Sequence, residues 1–157
     1  VSTLANKIAK SLPPDLMIVV LLRGSFVFAA DLIRALHAVG MHPQVDFLTL
    51  SSYGKGKTSS SVEVVRDLTE SMEGRDVLIV DDILESGRTL HFAREMVKYR
   101  NARSVRTVVL LEKSGKRKFN IQADFVGFNV EDKFVVGYGL DYANYYRELP
   151  YIGAIAE

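Results

Sequence analysis

Apolar positions along this chain fall into two patterns. Met17 to Leu22 and Val77 to Val80 are unbroken apolar runs, which read as strands buried on both faces of a parallel sheet. Ser104 to Leu111 reads the same way through Val105, Val108, Val109, Leu110 and Leu111. Weaker strands are predicted over Gln44 to Leu50, Val62 to Val65 and Asp124 to Phe128. Between the strands, apolar residues recur at helical spacing. Leu4, Ile8 and Leu12 mark a short helix over Ser2 to Leu12, stopped by Pro13-Pro14. Phe26, Ala29, Ala30, Ile33 and Leu36 predict a second helix over Phe26 to Val39, closed by Gly40. Leu90, Ala93, Met96 and Val97 mark a third, ending near Asn101.

Alternating strands and helices predict an α/β fold: a mainly parallel twisted sheet flanked by helices. The first helix and the aromatic tract from Tyr142 to Tyr151 stand outside that repeat, and a small hood built from the N- and C-terminal segments is expected over the strand ends. The 157 residues suit a single domain over 1–157. Between the strands near Leu50 and Val62 lies the one low-complexity piece, Ser51 to Ser61, expected to be a mobile excursion.

Composition narrows the function classes. Hydrophobic residues make up 48% and charged residues 25%, as in soluble globular proteins. Twenty Lys and Arg against 19 Asp and Glu leave no net field to draw the chain to nucleic acid or an anionic membrane. No apolar run is long enough to span a bilayer. Cysteine is absent, which excludes thiolate metal sites and fits a cytoplasmic protein. His37, His42 and His91 show no paired metal spacing and read as surface or packing residues.

The richest chemistry follows the Val77 strand. Asp81 and Asp82 come first, then Glu85-Ser86-Gly87-Arg88-Thr89, then the third helix. A loop feeding a helix N-terminus at the carboxyl end of a strand is a ready anion site. Gly87 permits close backbone approach, Ser86 and Thr89 bring hydroxyls, and Arg88 brings charge. The two acids suit a metal or the vicinal hydroxyls of a sugar; an acidic helix cap is the plainer alternative. Arg23-Gly24 ends the Met17 strand in a similar turn, and Lys113 ends the Ser104 strand. Gly56-Lys57-Thr58 is no Walker motif, because Ser51 stands where its first glycine belongs. The basic run Lys116 to Lys118 reads as a solvated turn.

Two acids, two apolar residues, an acid and then Ser-Gly-X-Thr after an apolar strand resemble the phosphoribosyl-pyrophosphate loop of type I phosphoribosyltransferases. From about Ile18 to Tyr151 the chain resembles the hypoxanthine (hypoxanthine-guanine) phosphoribosyltransferases of purine salvage. The resemblance implies transfer of the 5-phosphoribosyl group from 5-phosphoribosyl 1-pyrophosphate to N9 of a 6-oxopurine, with Mg2+. The small-molecule partners would be the base, the pyrophosphate donor and the nucleotide product.

It also implies roles. Asp81 and Asp82 would hold the ribose hydroxyls, and Glu85, Ser86, Gly87, Arg88 and Thr89 would cradle the 5′-phosphate. Arg23 and Gly24, in a loop whose peptide before glycine is expected to be cis, would bind pyrophosphate with Ser52, Tyr53 and Arg147; Ser52-Tyr53 matches the tip of a closing loop. Lys113 would donate to the purine O6 and Phe134 would stack on the base, with main-chain help from Lys133 and Val135. Asp141 would bind the magnesium, and Glu85 would exchange a proton with purine N7. Most members carry Asp where this chain has Glu85, and Arg23 replaces a more usual Lys. Aromatic residues from Tyr142 to Tyr151 suggest a subunit interface, in a homodimer or homotetramer. A non-catalytic regulator on the same fold would lack a use for Lys113, Phe134 and Asp141 together. A xanthine- or pyrimidine-specific transferase is disfavoured by the same base-pocket residues.

Overall fold

In the computed structural model, which describes residues 1–53 and 61–156, six strands form one sheet in the order β3-β2-β1-β4-β5-β6. The elements in chain order are α1 Ser2–Ser11, β1 Met17–Leu22, α2 Phe26–Ala38, β2 Gln44–Tyr53, β3 Ser61–Arg66 and β4 Asp76–Leu84. They continue with α3 Arg88–Tyr99, β5 Ser104–Lys113, β6 Phe125–Val130, β7 Val135–Val136 and β8 Gly153–Ala154. All sheet neighbours run parallel except β3, which lies antiparallel to β2 at one edge. The α/β class and the mainly parallel sheet are therefore as the sequence predicts.

Period-2 alternation sorts the central strands between two cores. Ile18 and Val20 of β1, with Leu78 and Val80 of β4, face Phe28, Leu32 and Leu36 of α2. Met17, Val19 and Leu21, with Val77 and Ile79, face Leu90, Ala93 and Val97 of α3. The chain leaves β1 towards β2 and leaves β4 towards β5, so these adjacent strands diverge at their carboxyl ends. That divergence is a topological switch point, where open α/β sheets bind ligands.

Several details differ from the sequence reading. The apolar face of α2 runs through Phe28, Ala29, Leu32 and Leu36, while Phe26 is exposed. In a helix beginning Phe-Val-Phe-Ala-Ala, more than one stripe meets helical spacing. Helix α1 stops at Ser11, since Pro13 biases Leu12 into its extended conformation at φ −125° and ψ 152°. It also lies on the sheet face: Leu4, Ala5 and Ile8 enter the core with α2. The hood is thus C-terminal, built around the antiparallel β7–β8 pair. Strands β2 and β3 pair up to Tyr53 and Ser61, so the expected excursion begins later than Ser51. The remainder of that excursion, residues 54–60, lies outside the described residues.

Two contacts fasten the hood. The Tyr138 hydroxyl donates to the Asp31 carboxylate on α2. Gly139 abuts the β1–α2 turn, where a Cβ would lie 2.6 Å from the Gly24 carbonyl oxygen.

Candidate active site

Strand β4 does not end before its acids. Pairing with β5 continues through Asp81, Ile83 and Leu84, opposite Val109, Leu111 and Glu112. Asp81 and Asp82 are therefore strand residues, half-buried and held on a rigid backbone. The Asp82 N–H donates to Asp81 Oδ1 at 2.9 Å, and the Ile83 N–H donates to Asp82 Oδ1 at 2.7 Å. Burial, followed by the adjacent Asp82 charge, pushes the Asp81 carboxyl well above the usual carboxylate range. Burial also raises Asp82, opposed by a hydrogen bond shared with Asp81, by the Ile83 N–H and by the Arg147 charge.

Across the switch point, Gly24 packs directly on this pair. A Cβ there would fall 2.0 Å from Asp82 Oδ2, so only glycine fits while Asp82 keeps its place. The cis peptide is Leu22–Arg23, one bond earlier than the sequence reading placed it. Helix α3 opens at Arg88 with Gly87 as its N-cap, at φ +85°. A left-handed glycine supplies no capping side chain of its own, and the Arg88 N–H donates instead to Ser86 Oγ at 3.3 Å, at the helix end where anions are favoured.

Two adjoining clefts result. The first encloses about 390 Å³ between the β1–α2 turn and the start of α3, and its walls include Arg23, Gly24, Ser52, Asp81 and Ser86 to Thr89. The second encloses about 1020 Å³ under the hood, and its walls include Lys113, Lys133, Phe134, Val135 and Asp141. Asp82, Ile83 and Glu85 line both. The anion-type residues and the aromatic residue are thus in neighbouring compartments.

Within the second cleft, Lys113 Nζ donates to Glu85 Oε1 at 2.7 Å. The lysine side chain is only 7% exposed against 41% for the glutamate, so the cation is fixed and the carboxylate is reachable. Phe134 is 53% exposed and meets Tyr142 edge to face, with ring centroids 5.7 Å apart. Its open ring face suits a flat heterocycle. Asp141 accepts the Asn144 N–H at 2.8 Å and lies 3.4 Å from Arg147. Arg147 also donates to the Gly139 carbonyl at 2.6 Å and lines neither cleft. Tyr53 ends β2, one residue after Ser52 of the first cleft.

Among the described residues no three metal-ligating side chains cluster. The Asp141 carboxylate in the wall of the second cleft suits a hard cation that keeps waters and takes its other ligands from substrate, as magnesium does. Sequence reasoning passed over Arg117, which is not a solvated residue: its guanidinium donates to the Glu85 and Ile121 carbonyls and to Glu112. It passed over Tyr138 and Asp31 as well. Nothing in a basic turn or a lone tyrosine signals such contacts before the fold is known.

Comparison with known proteins agrees with this geometry. Residues 2–143 match the family model of the phosphoribosyl transferase domain. Hypoxanthine phosphoribosyltransferase of Escherichia coli is 49% identical over 142 residues, which cover 90% of this chain and 78% of that protein. Hypoxanthine-guanine phosphoribosyltransferase of Bacillus subtilis is 50% identical over 135 residues, covering 85% of this chain and 73% of the relative. A variant of the Trypanosoma cruzi hypoxanthine phosphoribosyltransferase, solved in complex with its product IMP, superposes with a TM-score of 0.91 at 41% identity. That superposition covers 99% of this chain and 83% of the other. The strand-and-loop geometry around Asp81 and Glu85, the aromatic compartment beside it and these similarities lead to one assignment: the chain belongs to the hypoxanthine phosphoribosyltransferase family.

Proposed function

We propose that this protein transfers the 5-phosphoribosyl group of 5-phosphoribosyl 1-pyrophosphate to N9 of hypoxanthine or guanine, releasing pyrophosphate and the nucleotide. The observation that carries the base class is the Lys113–Glu85 pair, 2.7 Å apart, with Lys113 in the second cleft and Glu85 on the wall common to both. A 6-oxopurine presents O6 and N7 side by side on one edge. A fixed ammonium beside a carboxylate meets that edge with a donor for O6 and a proton acceptor for N7.

In this reading Phe134 stacks on the base, with Lys133 and Val135 beside it. The 5′-phosphate sits against Glu85 to Thr89 at the N-terminal end of α3, and its sugar hydroxyls donate to Asp81 and Asp82. Pyrophosphate lies against Arg23, Gly24, Ser52 and Tyr53, with Arg147 beyond them. As N9 attacks the anomeric carbon, Glu85 takes the N7 proton and Lys113 steadies charge on O6. Asp141 would hold Mg2+, whose chemistry is to neutralise charge on the pyrophosphate leaving group. A homodimer or homotetramer in the cytoplasm completes the proposal. Tyr145 and Tyr151, 71% and 60% exposed, suit a subunit contact that a sizing measurement would test.

The test is a panel of hypoxanthine, guanine, xanthine and adenine, each supplied with the pyrophosphate donor, with and without Mg2+. Nucleotide should form from hypoxanthine or guanine, not from adenine, and should vanish when the metal is chelated. Turnover of adenine in preference to both would overturn the base assignment, and undiminished turnover with chelator would overturn the metal.

A further inference from the structure

Arg117 lies in the connection between β5 and β6, flanked by two lysines. Lys116 behaves as a surface residue, pairing with Asp132 where both side chains are about half exposed. Arg117 is only 26% exposed and its guanidinium fans across three acceptors. Nε donates to the Glu85 carbonyl at 3.1 Å, Nη1 to the Ile121 carbonyl at 2.6 Å, and Nη2 to Glu112 Oε1 at 2.8 Å. The next two backbone amides, of Lys118 and Phe119, donate to the Ser86 carbonyl at 2.9 and 3.1 Å. Both carbonyls at the start of the loop are therefore held from the β5–β6 side.

A trans peptide points its N–H opposite to its C=O. Holding the Glu85 carbonyl towards Arg117 turns the Ser86 N–H the other way, and holding the Ser86 carbonyl does the same for the Gly87 N–H. Ser86 and Gly87 line the first cleft, whereas Arg117, Phe119 and Ile121 do not. The packing is close: a Cβ on Gly87 would lie 2.6 Å from Ile121 Cγ2 and 3.1 Å from Arg117 Cδ.

We infer that Arg117 is a positioning residue for the anion loop, fixing its peptide planes so that consecutive N–H groups face the cleft before any ligand arrives. Successive N–H groups on one side make a concave anion site. The role needs arginine, because a planar fork reaches several acceptors at once while a lysine ammonium reaches them singly. Glu112, on β5, orients the fork and balances its charge.

The inference rests on the reading of Glu85 to Thr89 as the 5′-phosphate pocket, and one titration series separates the two. Inosine and inosine 5′-monophosphate are titrated into the full chain and into R117M and R117K by calorimetry. In the unsubstituted protein the monophosphate should bind more tightly; equal binding of both ligands would overturn the pocket reading and the inference with it. Given that difference, R117M should weaken the monophosphate by about tenfold or more, the equivalent of one lost charge-assisted hydrogen bond, and leave inosine unchanged. The KM for the pyrophosphate donor should rise by more than kcat falls. R117K, read by the same ratio, should lose less and serves if R117M does not fold. Equal weakening of both ligands, or an unchanged ratio in the variants, would reduce Arg117 to a fold element and overturn the inference.

Discussion

Gly24 and Asp82 are in contact across the switch point, so closely that a methyl group on the first would occupy the space 2.0 Å from the carboxylate of the second. The β1–α2 turn and the acid pair of β4 are thus one unit, and the side chain absent from position 24 sets where Asp82 points. Gly24→Ala should swing that carboxylate away from its place. The expected result is a fall of about 10²-fold in kcat/KM for the pyrophosphate donor, the scale of a misplaced positioning group. Steady-state kinetics with the donor varied would check it.

Asp81→Asn should stabilise the free protein while harming its use. Burial raises the Asp81 carboxyl well above its ordinary value, so the folded state holds a proton that the unfolded chain has already released. Stability therefore declines as pH rises from the ordinary carboxylate value through the raised one. An amide removes that decline and keeps an Oδ1 acceptor for the Asp82 N–H. At neutral pH we expect a higher Tm than in the unsubstituted protein, together with a higher KM for the donor. Thermal melts across pH, paired with kinetics, would show both halves.

Glu85→Gln keeps an oxygen for Lys113 but loses the base. Turnover should fall by about 10²-fold or more, with the affinity for hypoxanthine changed little. A rate that survives the substitution would remove Glu85 from the chemistry.

Tyr138→Phe should loosen the hood. Asp31 lies below the usual carboxylate range chiefly through the Tyr138 hydroxyl bond, with burial opposing and Arg34 assisting. A lowered carboxyl contributes stability that is present above the ordinary pKa and lost as pH falls through the folded one. The variant should cost about 1–2 kcal/mol near neutral pH, and the difference should shrink in acid. Denaturant melts at two pH values would test this.

Much of this molecule is legible in its sequence because burial writes it there. The strand Met17 to Leu22 and the stretch Val108 to Leu111 lie in a parallel sheet covered on both sides, so their residues are apolar throughout. Strand β4 is longer than its unbroken apolar run because pairing with β5 continues past the two acids to Leu84. Backbone pairing leaves no hydrophobic trace, and polarity alone suggests a loop. Arg117 shows the converse: three contacts reached through folding make a buttress of a residue whose neighbours are all surface-like. The acid pair and the Glu85 loop were readable, since their chemistry is local, whereas the Lys113–Glu85 bond spans 28 positions and depends on strand order.

Because Asp82, Ile83 and Glu85 belong to both hollows, a ligand in either one meets side chains that also face the other. Any coupling between the two occupancies that passes through those side chains is reciprocal. A heterocycle that tightens the grip on a sugar phosphate is itself gripped more tightly by the same factor, so affinities measured one ligand at a time do not sum to that of a molecule filling both.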